Sequence, residues 1–218
     1  MKMLWYLQEL KAELQREREL IERQIEMPRM KSMGKFAVID TETTWGDAVM
    51  SIGVVIADSE TFELVDKRYY ILTPFKNHGG MYTYALYVNG IKPDLECSRE
   101  KATNELIRFL SGYEVETMFA YNAAFDYRHL PELSHLAWYD IMKVAAYRQH
   151  NPKIPGCADC YGTGRLKRGY GVESVYRMLS EDFVYCEMHN ALTDAIDELE
   201  IMRLLNHELG KYALARIG

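Results

Sequence analysis

Residues 36–44, FAVIDTETT, constrain the chain more than any other stretch. Four apolar residues, Phe36 to Ile39, have the length and composition of a short buried strand. Asp40 and Glu42 follow at its end. Two apart in an extended backbone, they point to one side of the strand while Thr41 points to the other. Carboxylates held so close repel each other unless a cation sits between them, and an oxygen-rich pair suits a hard divalent ion such as Mg²⁺ or Mn²⁺.

The 218 residues are enough for one domain with an appendage, or at most two small domains. A hydrophobic share of 48% with 27% charge is that of a globular protein with a real core. No apolar run reaches the roughly 18 residues a membrane span needs, so no membrane partner is expected. The charged N-terminus does not resemble a secretory leader, and four cysteines in a chain of this length make no disulfide scaffold; a reducing cytoplasm is the expected setting. The net charge of −6 argues against avid non-specific binding to duplexes. It leaves room for an enzyme acting on a strand end, since acidic ligands are neutralised by the metals they hold.

Residues 1–27 have the pattern of an amphipathic helix, with Leu7, Leu14 and Ile21 at seven-residue spacing and Leu4 and Ile25 beside them, ended by Pro28. Packing on its own domain competes with self-association or a protein partner through a short coiled coil, which fewer than four heptads support weakly. A linker at 31–35 completes an N-terminal unit of residues 1–35. From residue 36 the pattern turns to strands, at 36–40, 49–57 and 67–72, separated by short turns as in an antiparallel meander. Ser98 is placed to cap a helix reaching residue 110. Strands at 117–121 and 136–139 then alternate with helices at 124–133 and 141–149, and helices follow at 172–179 and 191–209. The fold class is therefore α/β: a mixed β-sheet, antiparallel meander plus parallel strands, flanked by helices. Residues 151–171 interrupt the alternation as a Gly/Cys-rich insertion within a domain of residues 36–218, with five glycines, Cys157-x-x-Cys160 and the cations Arg165, Lys167 and Arg168.

Two further stretches complete the pattern opened by Asp40 and Glu42. Tyr121-Asn-Ala-Ala-Phe-Asp126 stands at a strand-to-helix junction, where Asn122 can bond exposed backbone, Phe125 offers an apolar face and Asp126 adds a third carboxylate. His189-Asn-Ala-Leu-Thr-Asp194 leads into a helix and brings an imidazole and a fourth carboxylate. D-T-E-T-T, Y-N-A-A-F-D and H-N-A-L-T-D together resemble, in order and separation, the three motifs of the DEDDh exonuclease superfamily, which includes bacterial proofreading subunits and ribonuclease T. The resemblance covers residues 36–205 and implies a ribonuclease H-like fold and a two-metal 3′–5′ exonuclease. Carried over, Asp40, Glu42, Asp126 and Asp194 hold two Mg²⁺ or Mn²⁺, and His189 activates the water. The expected substrate is a single-stranded or frayed 3′ end, DNA favoured over RNA, with Thr41, Thr43, Trp45, Asn122 and Phe125 around the terminal nucleotide.

The match has departures. Trp45 stands where many relatives have glycine, either to stack on the terminal base or to cover the core at the strand end. Residues 77–90 do not look like the family's usual connection. Cys157 and Cys160, with Cys186 and another ligand such as His150, could hold a structural zinc, against the alternative of plain loop thiols. From other classes, a non-catalytic nucleic-acid-binding module and a structural adaptor remain as rivals, although neither needs four convergent carboxylates.

Overall fold

The structure is a computed structural model. It describes residues 34–75, 79–88 and 90–217 and, from the first 33, residues 8, 11, 13–19, 21 and 24–26. Its frame is a mixed sheet in the order β4-β3-β2-β1-β5-β6-β7 among the described residues. The strands are β1 (Lys35–Thr43), β2 (Val49–Asp58), β3 (Leu64–Leu72), β4 (Leu95–Cys97), β5 (Thr117–Ala120), β6 (Ala137–Asp140) and β7 (Arg216–Ile217). The meander β1–β2–β3 is antiparallel, while β5 and β6 continue from β1 in parallel. The expected ribonuclease H-like architecture is therefore present. Its two shortest strands, β4 and β7, had no signature in the sequence.

The alternation of β1 divides the interior. Phe36 and Val38 face one core with Met50, Val55 and Phe119, covered by helices α4 (Val172–Ser180) and α5 (Ala191–Leu205). Ala37 and Ile39 face the other with Ile52, Val54 and Trp138, covered by α1 (Arg99–Gly112). Ser98 caps α1 as expected, its hydroxyl accepting the Lys101 N–H. The order of strands reverses between β1 and β5, and a parallel sheet opens a crevice at the carboxyl ends of its strands at such a point. The three motifs meet there.

Several helices are shorter than the pattern suggested. The helix after β5 splits at Leu130 into α2 (Ala124–His129) and a 3₁₀ turn at Pro131–Leu133, because proline has no N–H to continue the ladder. Helix α3 spans only Met142–Ala145, and α5 stops at Leu205, where Asn206 adopts a left-handed conformation at φ 53°. The insertion, expected to lack elements, is a small hairpin. Tyr147 bridges to Arg165 and Cys160 to Leu166, and Leu166 is buried.

Of the N-terminal helix, Leu4 and Leu7 lie outside the described residues. The described residues between 8 and 26 are helical, and Leu14, Ile21 and Ile25 are each more than half exposed. That exposure is not what packing of this stripe on its own domain predicts. The described contact with the domain is polar: Glu26 accepts from the Tyr139 hydroxyl and, at 3.0 Å, from Arg216.

Candidate active site

The four acidic residues reach the crevice from three supports, β1, α2 and α5. Asp40 and Glu42 continue the even-numbered face of β1, the face that Phe36 and Val38 turn toward α5. Thr41, on the opposite face, donates its hydroxyl to Asp126 Oδ1 at 2.7 Å and so aims the α2 carboxylate. Asp194 sits in the first turn of α5, whose N-terminus is held by buried Asn190. That side chain accepts the N–H groups of Leu192 and Thr193 and donates to the Tyr69 hydroxyl at 2.9 Å and the Ala85 carbonyl at 2.7 Å. α5 can lie against β2 because Gly53, the pairing partner of Asp40, has no side chain; a Cβ there would fall 2.1 Å from the Ala191 carbonyl oxygen.

The resulting cleft, about 730 Å³, is lined by all five of Asp40, Glu42, Asp126, His189 and Asp194. Among the described residues, one group of ligand atoms converges: those of Glu42, His189 and Asp194 lie within 4.8 Å of one another. Burial is the largest influence on every carboxylate here, and the neighbouring acids add to it. Glu42 is pushed up to about 9, Asp194 to about 8, and Asp126, despite its hydrogen bond from Thr41, to about 7. Asp40 is raised as well, and its Oδ2 is buried without a hydrogen-bond partner. An orphaned carboxylate oxygen within a set of convergent acidic ligands is the environment a hard divalent cation satisfies. The donor set fits such ions.

His189 occupies the left-handed region at φ 54°. Its ring stacks on Tyr82, centroids 3.8 Å apart and planes 15° apart, and its Nδ1 lies 3.9 Å from Glu187 Oε1. Burial lowers its pKa below the ordinary imidazole value, which favours the neutral ring. Trp45 lines the mouth of the cleft and is 72% exposed, so it does not cover the core. Thr43, Asn122 and Phe125 line the same cleft. Asn122 has φ 61°, and its N–H donates to Asp140, a buried carboxylate that also accepts from Met142.

The sequence reading missed Glu198, Glu187 and Tyr82. Glu198 is 2% exposed, one helical turn beyond Asp194, and accepts the Tyr121 N–H at 3.0 Å. Its i,i+4 relation to Asp194 was the available signal. The thiols form no such group. Cys157 and Cys186 are exposed, Cys160 is half-buried, and Cys186 turns to the Glu187 carbonyl at 3.8 Å. Among the described residues, the thiols of Cys157, Cys160 and Cys186 do not fall in one group of convergent ligand atoms.

Neither family models nor curated proteins match the chain. Solved structures do. The nuclease domain of 3′hExo, a DEDDh family member bound to rAMP, aligns with a TM-score of 0.57 at 16% identity, over 82% of this chain and 95% of that one. The fold is that of a DEDDh 3′-exonuclease. Exonuclease X in complex with 5′ overhanging duplex DNA aligns at 0.50 and 20% identity, over 82% and 99% of the two chains. E. coli Exonuclease I in complex with a dA16 oligonucleotide aligns at 0.50 and 15% identity, over 82% of this chain and 42% of that one. At these identities the likeness is one of fold.

Proposed function

We propose that the chain belongs to the DEDDh superfamily and is a metal-dependent 3′–5′ exonuclease, releasing nucleoside monophosphates from single-stranded or frayed DNA ends. One observation carries this reading: the convergence of Glu42, His189 and Asp194 beside the orphaned Asp40 oxygen, in a cleft at the carboxyl ends of β1 and β5. Asp40, Glu42, Asp126 and Asp194 would hold two Mg²⁺ or Mn²⁺. When bound, such ions supply Lewis acidity and neutralise charge at the attacking and leaving oxygens of a phosphodiester.

The chain's own residues do the rest. His189, kept neutral by burial, accepts the proton of the attacking water, and the Tyr82 ring stacked on it limits its rotation. Thr41 keeps Asp126 aimed inward. Trp45 and Phe125 offer faces for the terminal base, with Thr43 and Asn122 as polar contacts beside them. In this proposal residues 36–218 are the catalytic domain and residues 1–35 an appendage for self-association or a protein partner. The setting proposed is the cytoplasm, where four free thiols stay reduced.

The same reaction on RNA is a second reading, favoured by the rAMP in the 3′hExo neighbour. End-labelled DNA and RNA of one sequence, incubated side by side with Mg²⁺, Mn²⁺ or EDTA, test both. Stepwise shortening from the 3′ end, stopped by EDTA, is expected for DNA. Faster shortening of RNA would replace the substrate assignment. No shortening of either strand with either metal would defeat the exonuclease reading.

A further inference from the structure

The insertion brings cations to the edge of an otherwise acidic cleft. Its hairpin is pinned to the end of α3: Leu166 N–H donates to the Ala146 carbonyl at 2.9 Å, Arg148 N–H to Gly164 at 3.0 Å, and Gln149 Nε2 to Thr163 at 3.1 Å. The turn favours Gly164 because its φ of +87° lies in the left-handed region, and a Cβ there would also displace the Gln149 amide. The far end is fastened by the Tyr121 hydroxyl, which donates to the Tyr170 carbonyl at 2.5 Å. The exposed side chains therefore stand on a braced support.

Those side chains alternate cation and ring. The Arg165 guanidinium lies 4.9 Å from the Tyr161 ring centre and 5.1 Å from that of Tyr170, both rings substantially exposed. Arg165 and Tyr170 also line the catalytic cleft, so the surface runs on from it without a break. Lys167 is offset by Asp159 at 3.0 Å, whereas neither Arg165 nor Arg168 has an acidic partner among the described residues. In a chain of net charge −6, an uncompensated guanidinium at the cleft, Arg165, with a second, Arg168, three residues along the same hairpin, is placed for an anion. Rings interleaved with arginines suit unpaired bases strung on a phosphate backbone, because every base has a face to stack.

We infer that residues 159–170 form a second contact for single-stranded nucleic acid, holding the nucleotides upstream of the one in the catalytic cleft. The inference rests on the exonuclease reading for the direction in which the strand leaves the cleft. Arg165 and Arg168 take phosphates, and Tyr161 and Tyr170 take bases.

The test is binding of a 5′-labelled oligothymidylate to the full chain by fluorescence anisotropy, in EDTA and across a salt series. Each phosphate contact on a single strand contributes about 0.7 to the slope of log affinity against log salt. Arg165→Ala/Arg168→Ala should therefore flatten the slope by about 1.4, which compounds to about 25-fold weaker binding at 0.1 M salt relative to convergence at 1 M. Arg165→Lys/Arg168→Lys keeps the charge and should keep the slope. If the double alanine variant fails to fold, Arg168→Ala alone should flatten the slope by about 0.7. An unchanged slope in the alanine variants overturns the inference, as does an unlabelled duplex of the same length that displaces the strand equally well. Hydrolysis of the p-nitrophenyl ester of thymidine 5′-phosphate with Mn²⁺ tests the catalytic centre separately. Strand binding with the predicted slope but no ester cleavage would support the ridge while defeating the exonuclease reading.

Discussion

His189 shows how a single side chain can be named in advance while its surroundings cannot. The H-N-A-L-T-D spacing marks it, together with Asp194, as part of a motif. The ring of Tyr82 on its face comes from a segment with no motif at all, and the carboxylate of Glu187 at 3.9 Å stands two residues before the motif begins. Asp40, Glu42 and Asp126 were legible for the same reason: each stands at the end of a strand or the start of a helix whose pattern is plain. Glu198 was not, because a buried carboxylate in mid-helix looks like any solvated helical acid until its partner, the Tyr121 N–H, is in place. His189→Ala is expected to lower kcat by roughly 10²–10⁴-fold while leaving oligonucleotide binding in place. The acid limb of the wild-type rate should lie below about 6.5, since burial lowers the imidazole pKa and the neutral form is the one that accepts a proton. Titrating Mn²⁺ into the variant separates base from ligand: unchanged metal affinity with slow turnover supports the base, whereas a loss of metal affinity that accounts for the rate makes His189 a ligand.

At the scale of elements, periodicity located β1, β2, β3, β5 and β6 and the helices α1, α4 and α5, because each buries a face wide enough to leave a pattern. It could not locate β4 or β7, whose three and two residues are strands only because a neighbouring strand pairs with them. The hairpin in the insertion was hidden for a similar reason, as its hydrogen bonds go to residues 146–149 rather than within itself alone. Gly53 was hidden too. It is an ordinary strand glycine by sequence, yet it sets how closely α5 approaches β2, and hence where Asp194 stands relative to Asp40. Gly53→Ala would place a Cβ within 2.3 Å of three backbone atoms of Ala191 and Leu192, none of which can rotate away. The expected cost is roughly 1–3 kcal/mol of stability, with activity falling further than stability because the two carboxylates separate. Melting temperature and turnover of the variant check this; an active Gly53→Ala enzyme with an unchanged melting temperature would show that α5 is free to shift.

For the whole molecule, the acidic cleft is a source of instability that bound cations would relieve. Asp126, Asp194 and Glu42 titrate near 7, 8 and 9 in the folded chain, all raised chiefly by burial, whereas in an unfolded chain they would titrate near 4. Groups with raised folded-state values bind protons more tightly in the folded state. Their contribution to stability is therefore fully present below about pH 4 and is lost as pH rises through 7 to 9. Other groups act in the opposite sense: Asp58, held low by Lys35, adds stability above the ordinary carboxylate pKa. That contribution is already complete near neutrality, so between pH 6 and 9 the cleft governs the trend. Metal-free protein in EDTA should melt at progressively lower temperature across that interval. With Mg²⁺ or Mn²⁺ in excess the curve should flatten, because the ions take the place of the protons and favour the ionised acids. Removing one acid by Asp40→Asn should raise the metal-free melting temperature at pH 8, where mutual repulsion is strong, and should weaken the response to metal. Scanning calorimetry of the two proteins at pH 6 and 9, with and without Mn²⁺, reads all of these. A metal-free melting temperature that rises over this interval, or a metal response unaffected by Asp40→Asn, would mean that the cluster is not the site the ions occupy.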